Sequence, residues 1–184
     1  MDEEYIILED SVRNTFGGVI WSHKIQEKQA DIYSSQYKYM ETAKIVAASL
    51  TSVGIVSLLF TDQVWIKILS AIISFVSVFI SAFFKSFDLQ ALISSHNSTA
   101  QKLLAVRDEL KKILLLIHLK EKTVSELSSD YQGIVKSLDD IYADAPRTTN
   151  KAVQKARIAL NKTNDNSFSN EEINNNLPET LHRR

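Results

Sequence analysis

The spacing of apolar residues divides the chain into three stretches. Residues 1–44 interleave apolar and charged positions, residues 45–84 hold two long uncharged runs, and from residue 85 charges return at helical intervals. The uncharged runs are Ile45–Thr61 and Ile68–Phe84, seventeen residues each. At 1.5 Å rise per residue each makes a helix of roughly 25 Å, slightly short of a hydrocarbon core. Lys44, Lys67 and Lys85 flank the runs, and lysine stems reach out to the headgroups. The connector "TDQVWIK" leaves room only for a tight turn, and Trp65 stands where an interfacial aromatic belongs. The pattern predicts a two-helix transmembrane hairpin over residues 45–84, with spans of about 45–61 and 68–84. Two core helices of a soluble bundle are the competing reading, because runs of this length sit at the lower limit for a span.

Lysines set the orientation. Lys28, Lys38 and Lys44 precede the first run, Lys85 and Lys102 follow the second, and Lys67 alone lies between them. That asymmetry places both termini in the cytoplasm and the short loop outside.

The second run carries serines at 70, 74, 77 and 81. At 100° per residue Ser70, Ser74, Ser77 and Ser81 fall within about 60° of one another. Ile68, Ile72, Phe75, Phe79 and Phe83 take the opposite side. The first run has a stripe of its own, Ala43, Ala47, Thr51 and Gly54. Small residues in register let two helices approach closely in lipid, with hydroxyls bonding across the contact. The other reading is that the serine face lines water in an oligomer. A ring of hairpins satisfies both.

The flanking regions predict a cytoplasmic helical bundle, in residues 1–44 and 85–162, followed by a polar tail. A first helix begins after a break at Gly17–Gly18, with Val19, His23, Gln26, Ala30, Tyr33 and Tyr37 near one face. A separate short amphipathic helix precedes it. After the second span, residues 86 to 127 read as one helix, with neither Gly nor Pro to stop it. On it His96, Ala100, Leu103, Arg107, Leu110, Leu114 and Ile117 alternate steps of four and three, a heptad-like seam that needs partners. Either Arg107 snorkels at the seam edge and His96 caps a packing contact, or the two form a polar pair or a ligand contact inside the bundle. Pro146 ends the next helix. The last helix turns Val153, Ala156 and Leu160 inward and carries a basic row, Arg147, Lys151 and Lys155. That row is either a solvated face or a contact for phosphates or anionic lipid. The tail, residues 163–184, is Asn-rich and too polar for a core, so disorder is expected, with "SNEE" able to cap one helical turn.

Composition narrows the chemistry. The net charge of −1 gives no global attraction to nucleic acid, yet residues 1–44 carry eight acids and five bases against nine and thirteen in residues 85–163. The charged first 44 residues do not read as a secretory signal. There is no cysteine, which removes disulfides, thiolate nucleophiles and Cys-ligated zinc. Four glycines and two prolines suit long helices and leave no phosphate-binding loop. His23, His96, His118 and His182 lack metal-ligand spacing, and acidic pairs such as Asp139–Asp140 diverge on a helix. No catalytic residue, metal or cofactor is predicted, and the chain does not read as an enzyme.

The order of parts resembles a known family. "WSHKIQEKQAD" precedes the hairpin, "SSHNSTAQKLLAVRDELKKIL" follows it, and "APRTTNKAVQKARIAL" comes last. The shared positions are His23 and Ala30, the run His96, Ala100, Leu103, Leu104 and Arg107, and Ala145, Pro146, Ala152 and Ala156. Over residues 17–162 these resemble the SLATT family, small two-span proteins of prokaryotic conflict systems. Members commonly have Glu beside the first His; here Lys24 stands there. The resemblance implies an oligomeric, membrane-permeabilising effector of the bacterial inner membrane that causes growth arrest or death during phage infection. A nucleotide signal, such as a cyclic nucleotide, or a co-encoded sensor protein would gate it. The rival function is a membrane-anchored scaffold that docks a cytoplasmic partner and conducts nothing.

Overall fold

A computed structural model describes residues 3–58, 63–163, 165 and 168–182. Helix and turn account for all of its regular structure; no strand occurs among the described residues. The helices are α1 (Glu3–Leu58), α2 (Val64–Ser86), α3 (Leu89–Leu119), α4 (Val124–Asp144), α5 (Asn150–Asn161) and α6 (Asn170–Asn174), followed by a 3-10 turn at Glu179–Leu181. Two compact units divide them: Met1–Gln29 with Ser98–Arg184, and Ala30–Asn97.

The first unit owes its core to one spacing repeated three times. Tyr5, Leu8, Val12, Phe16 and Val19 follow one another at three or four residues on α1. The same steps place Leu103, Val106, Leu110, Ile113 and Ile117 on α3, and Val124, Leu127, Tyr131, Ile134, Leu138 and Ile141 on α4. Each set makes one apolar stripe on a helix, and the three stripes form a single cluster in which Val12, Val19, Leu103, Leu110 and Leu127 are wholly inaccessible. The seam of α3 is therefore covered by its own chain, and Leu103 and Leu110 have no free face to offer a second copy. Arg107 and Leu114, expected on that seam, are only half-buried at its edge.

Hydrogen bonds fix the direction of α4. Thr15–Tyr131, Tyr131–Ser11, Tyr142–Ser22 and Gln26–Pro146 all join residues 116 to 120 positions apart. A nearly constant offset means that α4 runs parallel to α1.

Two boundaries and one buried face differ from the sequence expectation. Helix α1 does not break at Gly17–Gly18. Each glycine costs about 1 kcal/mol in a helix, but both are exposed while Val12, Phe16 and Val19 hold the flanking turns in the core. Helix α3 stops at Leu119 rather than continuing to 127. Lys120 takes φ 53°, with Lys120 N–H on Ile117 C=O at 3.3 Å and Glu121 N–H on Leu116 C=O at 3.4 Å. That is a Schellman termination made by a lysine instead of a glycine, followed at once by a capping box in which Thr123 and Glu126 start α4. On α5 the buried residues are Ala152, Ala156 and Ala159, with Val153 and Leu160 half-buried. Alanine allows the closest helix approach, so it takes the innermost positions.

In the second unit the run from Ile45 is the end of α1; its last residues, 59–61, lie outside the described residues, as does Asp62. Helix α2 begins at Val64, so Trp65 and Lys67 belong to its first turns and not to a loop. One helix among the described residues is long and apolar enough to cross a membrane, over Val64–Phe83. In the tail, Ser169 and Glu172 form a capping box over the single turn of α6.

Candidate functional site: an exposed apolar helix and a polar clamp

Helix α2 is two-sided. Ser70, Ser74 and Ser77 are half-buried along with Ile66, Ile73 and Ile80, whereas Ser81 is exposed. The bulky side is bare over most of its length: Phe75 is 72 % and Phe79 62 % exposed, Ile68 and Ile72 are exposed as well, and only Phe83 at its end is half-buried. In the same unit Ala47 of the α1 stripe is buried, and Ala43 and Thr51 are half-buried. Ser70, Ser74 and Ser77 thus lie on the shielded side of α2, and Ala43, Ala47 and Thr51 on that of α1. Two of the hydroxyls bond within their own helix: Ser81 Oγ–H donates to Ser77 C=O at 2.9 Å and Thr51 Oγ1–H to Ala47 C=O at 2.8 Å. Such back-bonding satisfies a hydroxyl without any partner helix.

Unit 1 has a polar centre that follows directly on its apolar stripe. After Val19 the inward positions of α1 become His23, Lys24, Gln26 and Gln29, the last wholly inaccessible. His23 Nδ1 lies 2.9 Å from Ala100 C=O; a carbonyl only accepts, so Nδ1 carries the proton. Gln26 Nε2–H donates to Pro146 C=O at 3.3 Å, and Gln29 Oε1 accepts from both Thr149 N–H and Thr149 Oγ1–H at 2.8 Å. These two glutamines hold the link between α4 and α5, and Thr149 in turn caps α5 through Ala152 N–H. The amide NH2 of Gln29, on Nε2, is buried with no partner among the described residues.

A charged row covers this centre. Lys24 Nζ, although only 4 % exposed, meets Glu27 at 2.8 Å and Asp165 at 3.7 Å, while Lys28 reaches Glu27 at 3.8 Å and Asp165 at 4.0 Å. His23 Nε2 lies 3.6 Å from Glu27. A hydrogen bond from the Thr163 hydroxyl, and then the two lysines, hold the Asp165 carboxyl below its ordinary value. The segment after α5 is thereby pinned to α1.

The residues singled out from sequence are dispersed. His96 is buried in unit 2, its ring tilted against Tyr33 at 5.5 Å, and burial lowers its pKa. Arg107 binds its neighbour Asp108, through Nε at 3.0 Å and Nη2 at 2.7 Å. Arg147, Lys151 and Lys155 are exposed on and beside α5, with no ion pair among the described residues. No interaction joins Arg107 to that row. Gln29 and Asp165 escaped the sequence reading, which noted Lys24 only as the neighbour of His23. Gln29 had a signal, being one turn on from Gln26 of the inward face; Asp165 had none, because only the fold of the tail brings it to α1.

Among the described residues no group of three His, Asp or Glu is arranged to hold a metal ion. Apart from the Gln29 Nε2 amide, the polar groups of the clamp are turned to backbone, to the Thr149 hydroxyl or to an opposite charge, an arrangement that positions the α4–α5 link on α1. Neither a curated protein nor a solved structure matches the chain. A family model does match, over residues 8–172: the SMODS and SLOG-associating 2TM effector domain family 4. The bare apolar helix and the helical unit that accompanies it are what a membrane-associated effector requires, and the chain belongs to that SLATT family.

Proposed function

We propose that the protein is a non-enzymatic effector of a bacterial anti-phage system that assembles in the inner membrane and permeabilises it. One observation carries the reading: Val64–Phe83 is a twenty-residue apolar stretch of α2 that contains no buried residue. Such a helix is about 30 Å long, the thickness of a hydrocarbon core. Left in water it would expose a continuous apolar surface at a cost of about 25 cal/mol per Å². The end of α1 supplies the first span, both termini are cytoplasmic, and unit 1 is the cytoplasmic part. A hairpin is too narrow to enclose a water path, so conduction takes several copies, with Ser70, Ser74, Ser77 and Ser81 on the face that meets either water or the first span. A nucleotide signal or a neighbouring sensor protein gates the assembly.

The test is induced expression of the full chain in cells loaded with a membrane-potential dye. The parent should depolarise them. Ser74→Leu with Ser77→Leu should still insert, because leucine is at least as well accommodated in a bilayer as serine, and should reduce the leak. A well-expressed parent that leaves the potential intact under every trigger from its neighbouring genes overturns permeabilisation.

A further inference from the structure

Helix α5 presents a stripe that its own chain does not use. Lys151, Lys155, Ile158 and Lys162 lie within about 60° of one another at 100° per residue, and all four are exposed. The buried alanines point elsewhere. Ile158, 51 % exposed, stands between the lysines as an apolar knob. None of the three lysines forms an ion pair among the described residues, and no acid occurs between Ala145 and Lys162 in the sequence.

Unit 1 also carries the complement of that stripe. A groove of about 340 Å³ runs between α3 and α4. Its floor is apolar, made by Ala105, Val106 and Ile141, two of which belong to or pack against the core. Its rim holds Glu109, Asp140 and Asp144, against the single base Lys102. These acids too are exposed and lack ion pairs among the described residues. Asp140 and Asp144 are one helical turn apart, as are Lys151 and Lys155, so both pairs have side chains spaced by about 6 Å. An apolar knob edged by cations matches an apolar floor edged by anions, in both charge and spacing.

From this match we infer that α5 of one copy seats in the α3–α4 groove of a second copy. Ile158 covers Ala105 and Ile141, and Lys151, Lys155 and Lys162 face Asp140, Asp144 and Glu109. The lysine stems add apolar cover while their heads reach the rim. Exposed ion pairs are individually weak, so the contact works as an array between chains already concentrated in one membrane. Stripe and groove are different patches of the same surface. The contact is therefore heterologous: each copy gives one helix and receives another, which propagates head to tail and closes into a ring where the rotation allows. This contact rests on the proposed assembly and specifies how its copies meet.

The experiment is cross-linking of the full chain in native membranes, with two epitope tags. Lys151→Glu with Lys155→Glu should lose cross-linked species by about tenfold or more, as should Asp140→Lys with Asp144→Lys, because like charges then face each other across the interface. Co-expressed, the two reversed chains should cross-link to each other at near the parental level. In an alternating assembly each acidic α5 meets a basic groove and each parental α5 a parental groove. Failure of the mixture to recover overturns the contact. So does a groove-reversed chain that cross-links as the parent does while the stripe-reversed chain does not; that result assigns the stripe to anionic lipid or phosphate. If both reversed chains assemble normally, this contact is wrong while assembly stands. If the parent itself never yields species above the monomer, the assembly under the proposed function fails, and the contact with it.

Discussion

Substitution of Leu110 by alanine separates a folding core from an assembly seam. Leu110 is wholly inaccessible among the α1, α3 and α4 stripes, whereas Leu115, five residues further along the same helix, is 55 % exposed. Removing a fully buried leucine side chain costs about 3 kcal/mol or more, the sum of lost transfer energy and the cavity left behind. In a chain of this size each kcal/mol lowers the thermal midpoint by about 2–4 °C, so Leu110→Ala should lower it by about 6–12 °C. Leu115→Ala should shift it by about 2 °C or less. The assay is thermal unfolding of the full chain in mild detergent, followed by the fluorescence of Trp21 and Trp65 at two protein concentrations. A core residue lowers the midpoint equally at both. If the parental midpoint rises with concentration and Leu110→Ala abolishes that rise with little other loss, Leu110 belongs to an interface between copies, and the reasoning is refuted.

Other outcomes follow from single features of unit 1 and unit 2. Lys120→Val should lower the midpoint, because a β-branched residue at φ 53° costs about 1 kcal/mol or more; an unchanged midpoint would mean that the turn rearranges. Thr123→Ala removes the hydroxyl that caps α4 and should cost about 1 kcal/mol, read in the same assay. Burial holds the His96 imidazole below its ordinary value of 6.5, so the unfolded chain binds more protons in the acid range. Its contribution is intact above pH 6.5 and is lost progressively as the pH falls from there through the lowered folded value. The midpoint should therefore decline on acidification from about pH 8 to about pH 5, and His96→Gln should flatten that decline.

Local periodicity is a property of the chain, and the features that depend on it were legible without coordinates. The seam leucines of α3, the run that becomes α2, the stop at Pro146 and the box over α6 all follow from residue spacing and side-chain chemistry within a turn or two. The family resemblance was legible for the same reason, since it rests on the order of such elements. Partnership is not local. That Leu103 and Leu110 are covered by Val12, Val19 and Leu127 depends on α4 returning parallel to α1, which no period announces. Continuity of α1 through Gly17 and Gly18 was decided by the turns packed on either side, which outweigh a propensity of about 1 kcal/mol per glycine. The end of α3 at Lys120 was hidden because a lysine adopts there the backbone that glycine usually signals. Gln29, Lys24 and Asp165 became a clamp only when the α4–α5 link and the segment beyond α5 were folded onto α1. Sequence fixes which face of each helix must be hidden; the tertiary structure decides what hides it, because burial is shared between residues far apart along the chain.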